Sequence, residues 1–106
     1  MDPSLYKFHT VSRDLTYHYY YRPSVVGKTT LLFLHGFPAS SYDWRRQIIH
    51  FQSQGYGILA PDLLGYGKSS KPEDRTLFRM NDMAGDIVSI LDAEGLESVI
   101  GISHDW

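Results

Sequence analysis

The polypeptide has 106 residues, of which 42% are hydrophobic and 21% charged, enough for one small globular domain and unlike a disordered chain. Ten Lys and Arg residues against twelve Asp and Glu residues give a formal net charge of -2, so the sequence provides no basic surface for nucleic acid or an anionic membrane. Cysteine is absent, and the sequence shows neither a secretory signal nor an apolar run near the roughly 20 residues of a membrane helix, so we expect a cytoplasmic protein without disulfides.

Strands are predicted throughout the first third of the chain. Alternation of apolar and polar residues over Tyr6–Val11 indicates a first strand, and the aromatic residues of Leu15–Tyr21 indicate a second, joined to it as an antiparallel hairpin. The continuous apolar run Leu31–Leu34 ends before Gly36 and Pro38. Such a run is typical of a strand that is covered on both faces in a parallel sheet.

Helices and strands then alternate to the end of the sequence. A helix is predicted from Ser40 or Ser41, which can cap it, to about Ser53, and Gly55 is placed to end it. The remaining predicted elements are a strand over 58–60, a helix over 80–91 and a strand over 99–102. This order indicates an α/β protein with right-handed crossovers and a parallel sheet.

The carboxyl end of the last predicted strand carries the most informative residues. Chemistry gathers at the carboxyl ends of parallel strands, and a nucleophile on a sharp strand-to-helix turn needs small neighbours. Gly101 and Ser103 are small, and two residues could be the nucleophile. Ser103 would lie at the elbow of a G-x-S-x-G motif whose closing glycine is replaced by Asp105. Asp105 would instead have the small Ser103 two positions before it, and we favour this interpretation.

Three motifs, each after a predicted strand, stand in order along the chain: His35-Gly36-Phe37-Pro38, Asp62-Leu63-Leu64-Gly65-Tyr66-Gly67 and His104-Asp105-Trp106. Their order and spacing resemble the successive signatures of the α/β-hydrolase fold and, within it, of the epoxide hydrolase branch. The resemblance runs from about Tyr6 to the last residue. It implies the amino-terminal part of an α/β-hydrolase core with a mostly parallel sheet and an antiparallel first hairpin. We expect residues 1–106 to be one truncated core domain, without a cap domain or a carboxyl-terminal half.

The resemblance also implies roles for individual residues. Asp105 would be the nucleophile, because a free carboxylate with a pKa of about 3.9 is ionised at pH 7 and can open an epoxide to an alkyl ester without a base. Water would then attack this ester, and the backbone N–H groups of Phe37 and Trp106 would stabilise the oxyanion. The supporting loop residues would be His35, Gly36 and Pro38. The resemblance implies a small-molecule epoxide substrate as the partner of the completed enzyme. We expect no metal and no cofactor, and the sequence leaves the oligomeric state open.

Relatives of the same fold that act on other substrates fit less well. Haloalkane dehalogenases commonly place a polar side chain at the position of Phe37 to hold halide, and fluoroacetate dehalogenases typically carry arginine at the position of Trp106. A haloalkane dehalogenase-like enzyme and a serine esterase with Ser103 as its nucleophile stay alternatives. A non-catalytic truncated fragment, inactive alone or working only with a complementing partner, is the third.

The sequence departs from the family's pattern in two respects. Ser103 stands where the family usually has glycine. The family also places an acid and a histidine after the nucleophile, together with cap-domain tyrosines that protonate the epoxide, and residues 1–106 hold no such positions. We therefore expect residues 1–106 alone not to turn over substrate, because no base would activate water. We also expect the strand over 99–102 to be an apolar edge strand, which favours aggregation.

Several other features are interpreted as structural. Gly67-Lys68-Ser69 resembles the end of a phosphate-binding loop, but Asp62 occupies the position of its first glycine, so we expect a turn in which Asp62 bonds local backbone. His35 and His104 are expected to bond or pack locally. Ordinary surface or half-buried positions are expected for His9, His18 and His50, and positions on the sheet surface for Tyr17, Tyr19, Tyr20 and Tyr21.

Overall fold

The computed structural model describes residues 1–36 and 39–104. Its strands are β1 (Tyr6–Thr10), β2 (Thr16–Arg22), β3 (Thr30–Leu34), β4 (Gly57–Pro61) and β5 (Ile100–Ser103). Its α-helices are α1 (Arg45–Ser53) and α2 (Met80–Ala93). Short 3-10 turns lie at Pro3–Leu5, Ser41–Trp44 and Arg75–Phe78.

The five strands form one mixed sheet in the order β1-β2-β4-β3-β5. β1 and β2 form the predicted antiparallel hairpin, and β2 also pairs antiparallel with β4. β3 lies parallel to β4 on one side and to β5 on the other. The α/β class and the arrangement of parallel strands beside an antiparallel first hairpin are therefore confirmed.

Both predicted helices are present, and each ends before a glycine in the left-handed region. The segment before α1 begins with Ser40, whose side chain and that of Asp43 cap a 3-10 turn, so the predicted start is correct although its first turn is not α-helical. Gly55, at a φ of +90°, follows α1, and Gly95, at a φ of +71°, follows α2. Glycine adopts this conformation without the steric cost that a side chain imposes.

The core lies on both faces of the sheet, because successive residues of a strand point to opposite sides. Tyr17, Leu32 and Leu59 pack with Ile90 of α2 on one face. On the other face the buried cluster includes Ile48 of α1. The other members of this second cluster are Tyr20, Leu31, Phe33, Ile58 and Ala60.

The prediction that the tyrosines of β2 lie on the sheet surface is wrong for Tyr17, Tyr19 and Tyr20, which are buried, whereas Tyr21 is half-buried. β2 lies between β1 and β4, and residues on both of its faces are covered. Tyr17 is 1% exposed and Tyr20 is fully buried. Their rings fill the core, while the hydroxyl of Tyr17 donates to Asp86 at 2.7 Å and that of Tyr20 to Gln52 at 2.8 Å. A tyrosine ring can be buried in this way because its hydroxyl group has a hydrogen-bond partner.

β5 is an edge strand of the described sheet, as predicted, and Ile100 is 53% exposed. Within residues 1–36 and 39–104, no helix has the length and apolar character needed to cross a membrane.

Candidate active site

The parallel register brings the ends of β3 and β5 side by side. Leu34 pairs with Ser103, and the His104 N–H donates to the Leu34 carbonyl at 3.3 Å. The segment that begins with His35 therefore starts beside the segment that leads to Asp105. Four of the predicted site residues lie outside the described residues: Phe37, Pro38, Asp105 and Trp106. Their roles as nucleophile, oxyanion donors and loop support stay predictions.

His35 is buried, and backbone groups occupy both of its ring nitrogens. Its Nδ1 donates to the Gly36 carbonyl at 2.9 Å, because a carbonyl can only accept. The Leu63 N–H donates to Nε2 at 2.9 Å. These partners assign the neutral tautomer with the proton on Nδ1. The contacts favour a supporting role for this side chain over a catalytic one, since no nitrogen is left for substrate.

Asp62 connects several segments at the carboxyl end of β4. Its carboxylate accepts from the Ser41 N–H at 2.9 Å, from the Ser41 hydroxyl at 2.7 Å and from the Lys68 N–H at 3.1 Å. These bonds agree with the expectation that Asp62 binds local backbone. A Cβ at Gly67 would lie 2.3 Å from the Asp62 carboxyl carbon, so only glycine fits there. The Lys68 N–H, a donor that a phosphate-binding loop would offer to its ligand, is thus already used by Asp62.

His18 supplies a fourth hydrogen bond to the Asp62 carboxylate, and the sequence interpretation missed it. Its Nδ1 lies 2.7 Å from the Asp62 carboxylate, and its ring stacks on Tyr6 with centroids 4.5 Å apart. The prediction of an ordinary surface or half-buried position is wrong, because His18 is only 8% exposed. One sequence signal indicates that Asp62 needs a buried partner, because a carboxylate that directly follows a buried strand has to find donors there. That His18 is this partner depends on the pairing of β2 with β4, which the sequence does not reveal.

The ionisation of Asp62 follows from these contacts. Burial raises the pKa of its carboxyl group, since a charge is costly away from water. The hydrogen bonds from His18, Ser41 and Lys68 stabilise the charged form and outweigh that effect, so the pKa lies below its ordinary value. Asp62 is therefore a buried carboxylate that is charged at neutral pH.

An open, largely apolar cavity of about 330 Å³ lies between the ends of β3 and β5 and the first turns of α2. Its wall includes Leu34 and His35 from the end of β3, Ser103 from β5 and Met83 from α2. The cavity is therefore next to the strand end that precedes Asp105. A second opening, of about 390 Å³, adjoins Gly36, Trp44 and His104.

The other histidines have local contacts. His104 packs edge-on against Trp44 with ring centroids 6.5 Å apart, as expected. His9 hydrogen-bonds the Ser89 hydroxyl at 3.1 Å, and His50 lies at the surface on α1. In the described part of the chain, no group of three or more His, Asp or Glu side chains is arranged to hold a metal ion.

Sequence comparison relates the chain to a family and to particular enzymes. The profile of the alpha/beta hydrolase fold matches residues 29–106. An epoxide hydrolase of Caballeronia sordidicola is 46% identical over 76 residues, which are 72% of this chain and 23% of that protein. Epoxide hydrolase 2 of Siraitia grosvenorii is 39% identical over 83 residues, 78% of this chain and 26% of that protein.

Solved structures give the same relationship. An epoxide hydrolase from Vigna radiata superposes with a TM-score of 0.82 at 34% identity, covering 100% of this chain and 34% of that one. One of the epoxide hydrolases from metagenomes of hot environments superposes with a TM-score of 0.85 at 34% identity, covering 95% of this chain and 33% of that one. The chain thus spans about a quarter of the length of these curated relatives and about a third of these structures.

Proposed function

Because this chain belongs to the alpha/beta hydrolase fold family, we propose that it forms the amino-terminal portion of an epoxide hydrolase-like enzyme with Asp105 as its nucleophile. One observation carries the proposal. The register of β3 and β5 sets the His35-Gly36 segment beside the strand end that leads to Asp105, next to an apolar cavity. A nucleophile and its oxyanion donors have to meet at such a place. The epoxide hydrolases named above supply the substrate class.

The proposed reaction has two covalent steps. A carboxylate oxygen of Asp105 attacks an epoxide carbon and forms an ester bond as the strained carbon–oxygen bond breaks, and the freed oxygen takes a proton from an acid of the complete enzyme. Water then attacks the ester carbonyl carbon while a base takes one of its protons. The acyl–oxygen bond breaks, and the leaving alkoxide takes that proton from the base to complete the diol. Asp105 is released as a carboxylic acid, and its proton returns to the group that protonated the epoxide oxygen.

The backbone N–H groups of Phe37 and Trp106 are the proposed donors to the oxyanion of the second step. Each such donor is worth about 3–4 kcal/mol when it is fixed in place before the reaction. His35, Gly36 and Pro38 support the loop that carries Phe37, and the bonds from His35 to the Gly36 carbonyl and the Leu63 N–H agree with this role. The apolar cavity favours an uncharged epoxide as substrate, because an ion would lose its hydration there. This chemistry needs no cofactor beyond water.

Residues 1–106 alone are proposed to be inactive in turnover. The triad order of this fold places the acid and the histidine after the nucleophile, so a polypeptide of these residues holds no base in position to activate water. A partner that supplies the missing groups would restore turnover. The cytoplasmic location expected from the sequence stays a prediction.

Mass spectrometry of the complete gene product tests the proposal. After brief incubation with an aryl epoxide and rapid acid quenching, peptide mapping is expected to find one alkyl adduct, on Asp105. The Asp105→Asn variant is expected to form no adduct, since an amide is a poor nucleophile. An adduct on Ser103 would contradict the proposal and indicate a serine esterase. Halide release from haloalkanes at a rate above that of epoxide opening would indicate a dehalogenase instead.

A further inference from the structure

Two consecutive residues after β4 hold both ends of the loop that carries the proposed oxyanion donor Phe37. At the start of the loop, the Leu63 N–H donates to His35 Nε2 at 2.9 Å. At its end, the Asp62 carboxylate accepts from both the N–H and the hydroxyl of Ser41, at 2.9 and 2.7 Å. The two ends of the segment 35–41 are thus attached to two consecutive residues, one through its backbone N–H and the other through its carboxylate.

Further hydrogen bonds hold Asp62 itself in place. The Asp62 N–H donates to the His18 carbonyl at 2.8 Å, and the Ser69 hydroxyl donates to the Asp62 carbonyl at 2.5 Å. Asp62 is 3% exposed and its carboxylate is charged, and hydrogen bonds to a buried charge are stronger than those between neutral groups. Ser41 is likewise held, because it opens the 3-10 turn that Ser40 and Asp43 cap.

We propose that Asp62 and Ser41 are positioning residues for hydrolysis of the ester intermediate. The inference rests on the proposed function. Opening of the epoxide develops charge on the substrate oxygen, whereas hydrolysis of the ester develops an oxyanion on the Asp105 carbonyl group. Only the second step therefore uses the Phe37 N–H. An oxyanion donor stabilises the transition state only when it is held in place, and His35 and Ser41 are the described ends of the segment that contains Phe37. Weakening the bond at the Ser41 end is therefore expected to slow hydrolysis and to spare alkylation.

The test is single-turnover kinetics of the Ser41→Ala variant in the complete gene product. Excess enzyme is mixed with an aryl epoxide and quenched at intervals, and the alkylated fraction of the Asp105 peptide is measured by mass spectrometry. We expect the rate of ester formation to stay within about twofold of the wild-type rate. We expect the rate of ester hydrolysis to fall on the order of tenfold or more, so that the ester accumulates.

Three further variants separate positioning from general damage. Ser41→Thr keeps the hydroxyl and is expected to restore hydrolysis. Tyr6→Phe removes the other partner of the Ser41 hydroxyl, 3.1 Å away, leaves the bond to Asp62 intact, and is expected to behave as wild type in both steps. Ser41→Cys, with a weaker donor of similar size, serves if Ser41→Ala does not fold, and its hydrolysis rate is expected between those of the alanine variant and wild type.

Two results would overturn the inference while leaving the proposed function intact. One is hydrolysis at the wild-type rate in both Ser41→Ala and Ser41→Cys. The other is an equal loss in both chemical steps, which is what a merely structural role produces. A wild-type protein that forms no ester on Asp105 would overturn the proposed function itself, and the inference with it.

Discussion

Asp62 stays charged inside the protein because hydrogen bonds from His18, Ser41 and Lys68 outweigh the effect of its burial on the pKa. Its folded pKa is therefore below the ordinary value of 3.8, which an unfolded chain would show. The unfolded state then binds protons first as the pH falls. The stability contributed by this group is present above pH 3.8 and is lost as the pH falls through the folded pKa.

A carboxyl-carbon NMR titration is expected to place the midpoint of Asp62 below pH 3.8. The free energy of unfolding is expected to decrease over the same range, and the Asp62→Asn variant should lack the part of this slope that Asp62 causes. A midpoint above 3.8 would mean that burial prevails over the hydrogen bonds of His18 and Ser41.

Tyr17 offers a second test at the residue scale. Its hydroxyl donates to the Asp86 carboxylate, which also pairs with Arg13. Tyr17→Phe removes one donor from a buried charge, so we expect a loss of about 1–3 kcal/mol in the free energy of unfolding, measured with urea. Tyr21→Phe is the matched control and is expected to change it by less than about 0.5 kcal/mol, since the described residues give its hydroxyl no hydrogen bond. Equal losses in both variants would contradict the role of the Tyr17 hydroxyl as a stabilising donor to Asp86.

The sequence predicts the surroundings of a single residue well when the residue belongs to a motif. It predicts them poorly when burial depends on where the strand lies in the sheet. The position of His35 after a buried strand and before glycine indicates a local hydrogen-bonder, and its ring nitrogens do bond local backbone. His18 and Tyr17 were misjudged for one reason. A run of aromatic residues does not reveal whether its strand is at an edge or inside the sheet, and β2 is inside, with both faces covered.

Elements were easier to predict than residues because apolar periodicity reports burial directly. The 80–91 prediction differs from α2 by two residues at its end. The turn at Ser41–Trp44 is 3-10 in place of the predicted α-helix. Its form depends on the bonds between Ser40 and Asp43, whose geometry the spacing of apolar residues does not specify.

The exposed edge of strand β5 leads to a prediction about self-association. Within the described residues its outer backbone groups have no neighbouring strand, and Ile100 is 53% exposed. Such an edge pairs readily with another chain. We expect a polypeptide of residues 1–106 to self-associate, and Ile100→Lys to reduce this in sedimentation velocity. Val88→Lys, on α2 and also at 53% exposure, is the matched control and is expected to leave self-association unchanged. A similar reduction by both variants would show that apolar area matters and the strand edge does not.

For the molecule as a whole, more of the fold than of the candidate site could be predicted from the sequence. Alternating strands and helices leave few arrangements open, and parallel strands bring their carboxyl ends to one edge, so the meeting of 35–36 with 103–104 was foreseeable. The cavity beside these strand ends could not be predicted from the sequence. It depends on how α2 packs over the loop after β4, where Met83 and Leu63 form the wall. Contacts between residues so far apart in sequence are not encoded in any one motif.

The last prediction concerns which of the two chemical steps residues 1–106 can perform alone. Residues 1–106 contain the proposed nucleophile Asp105 but no later acid or histidine. A carboxylate attacks an epoxide without a base, whereas ester hydrolysis needs one. We therefore expect the polypeptide of residues 1–106, incubated with an aryl epoxide, to gain at most one adduct per chain and to release no diol beyond the uncatalysed rate. Asp105→Asn should gain none. Steady diol formation over many turnovers, measured by chromatography, would show that these residues alone hold a base that activates water.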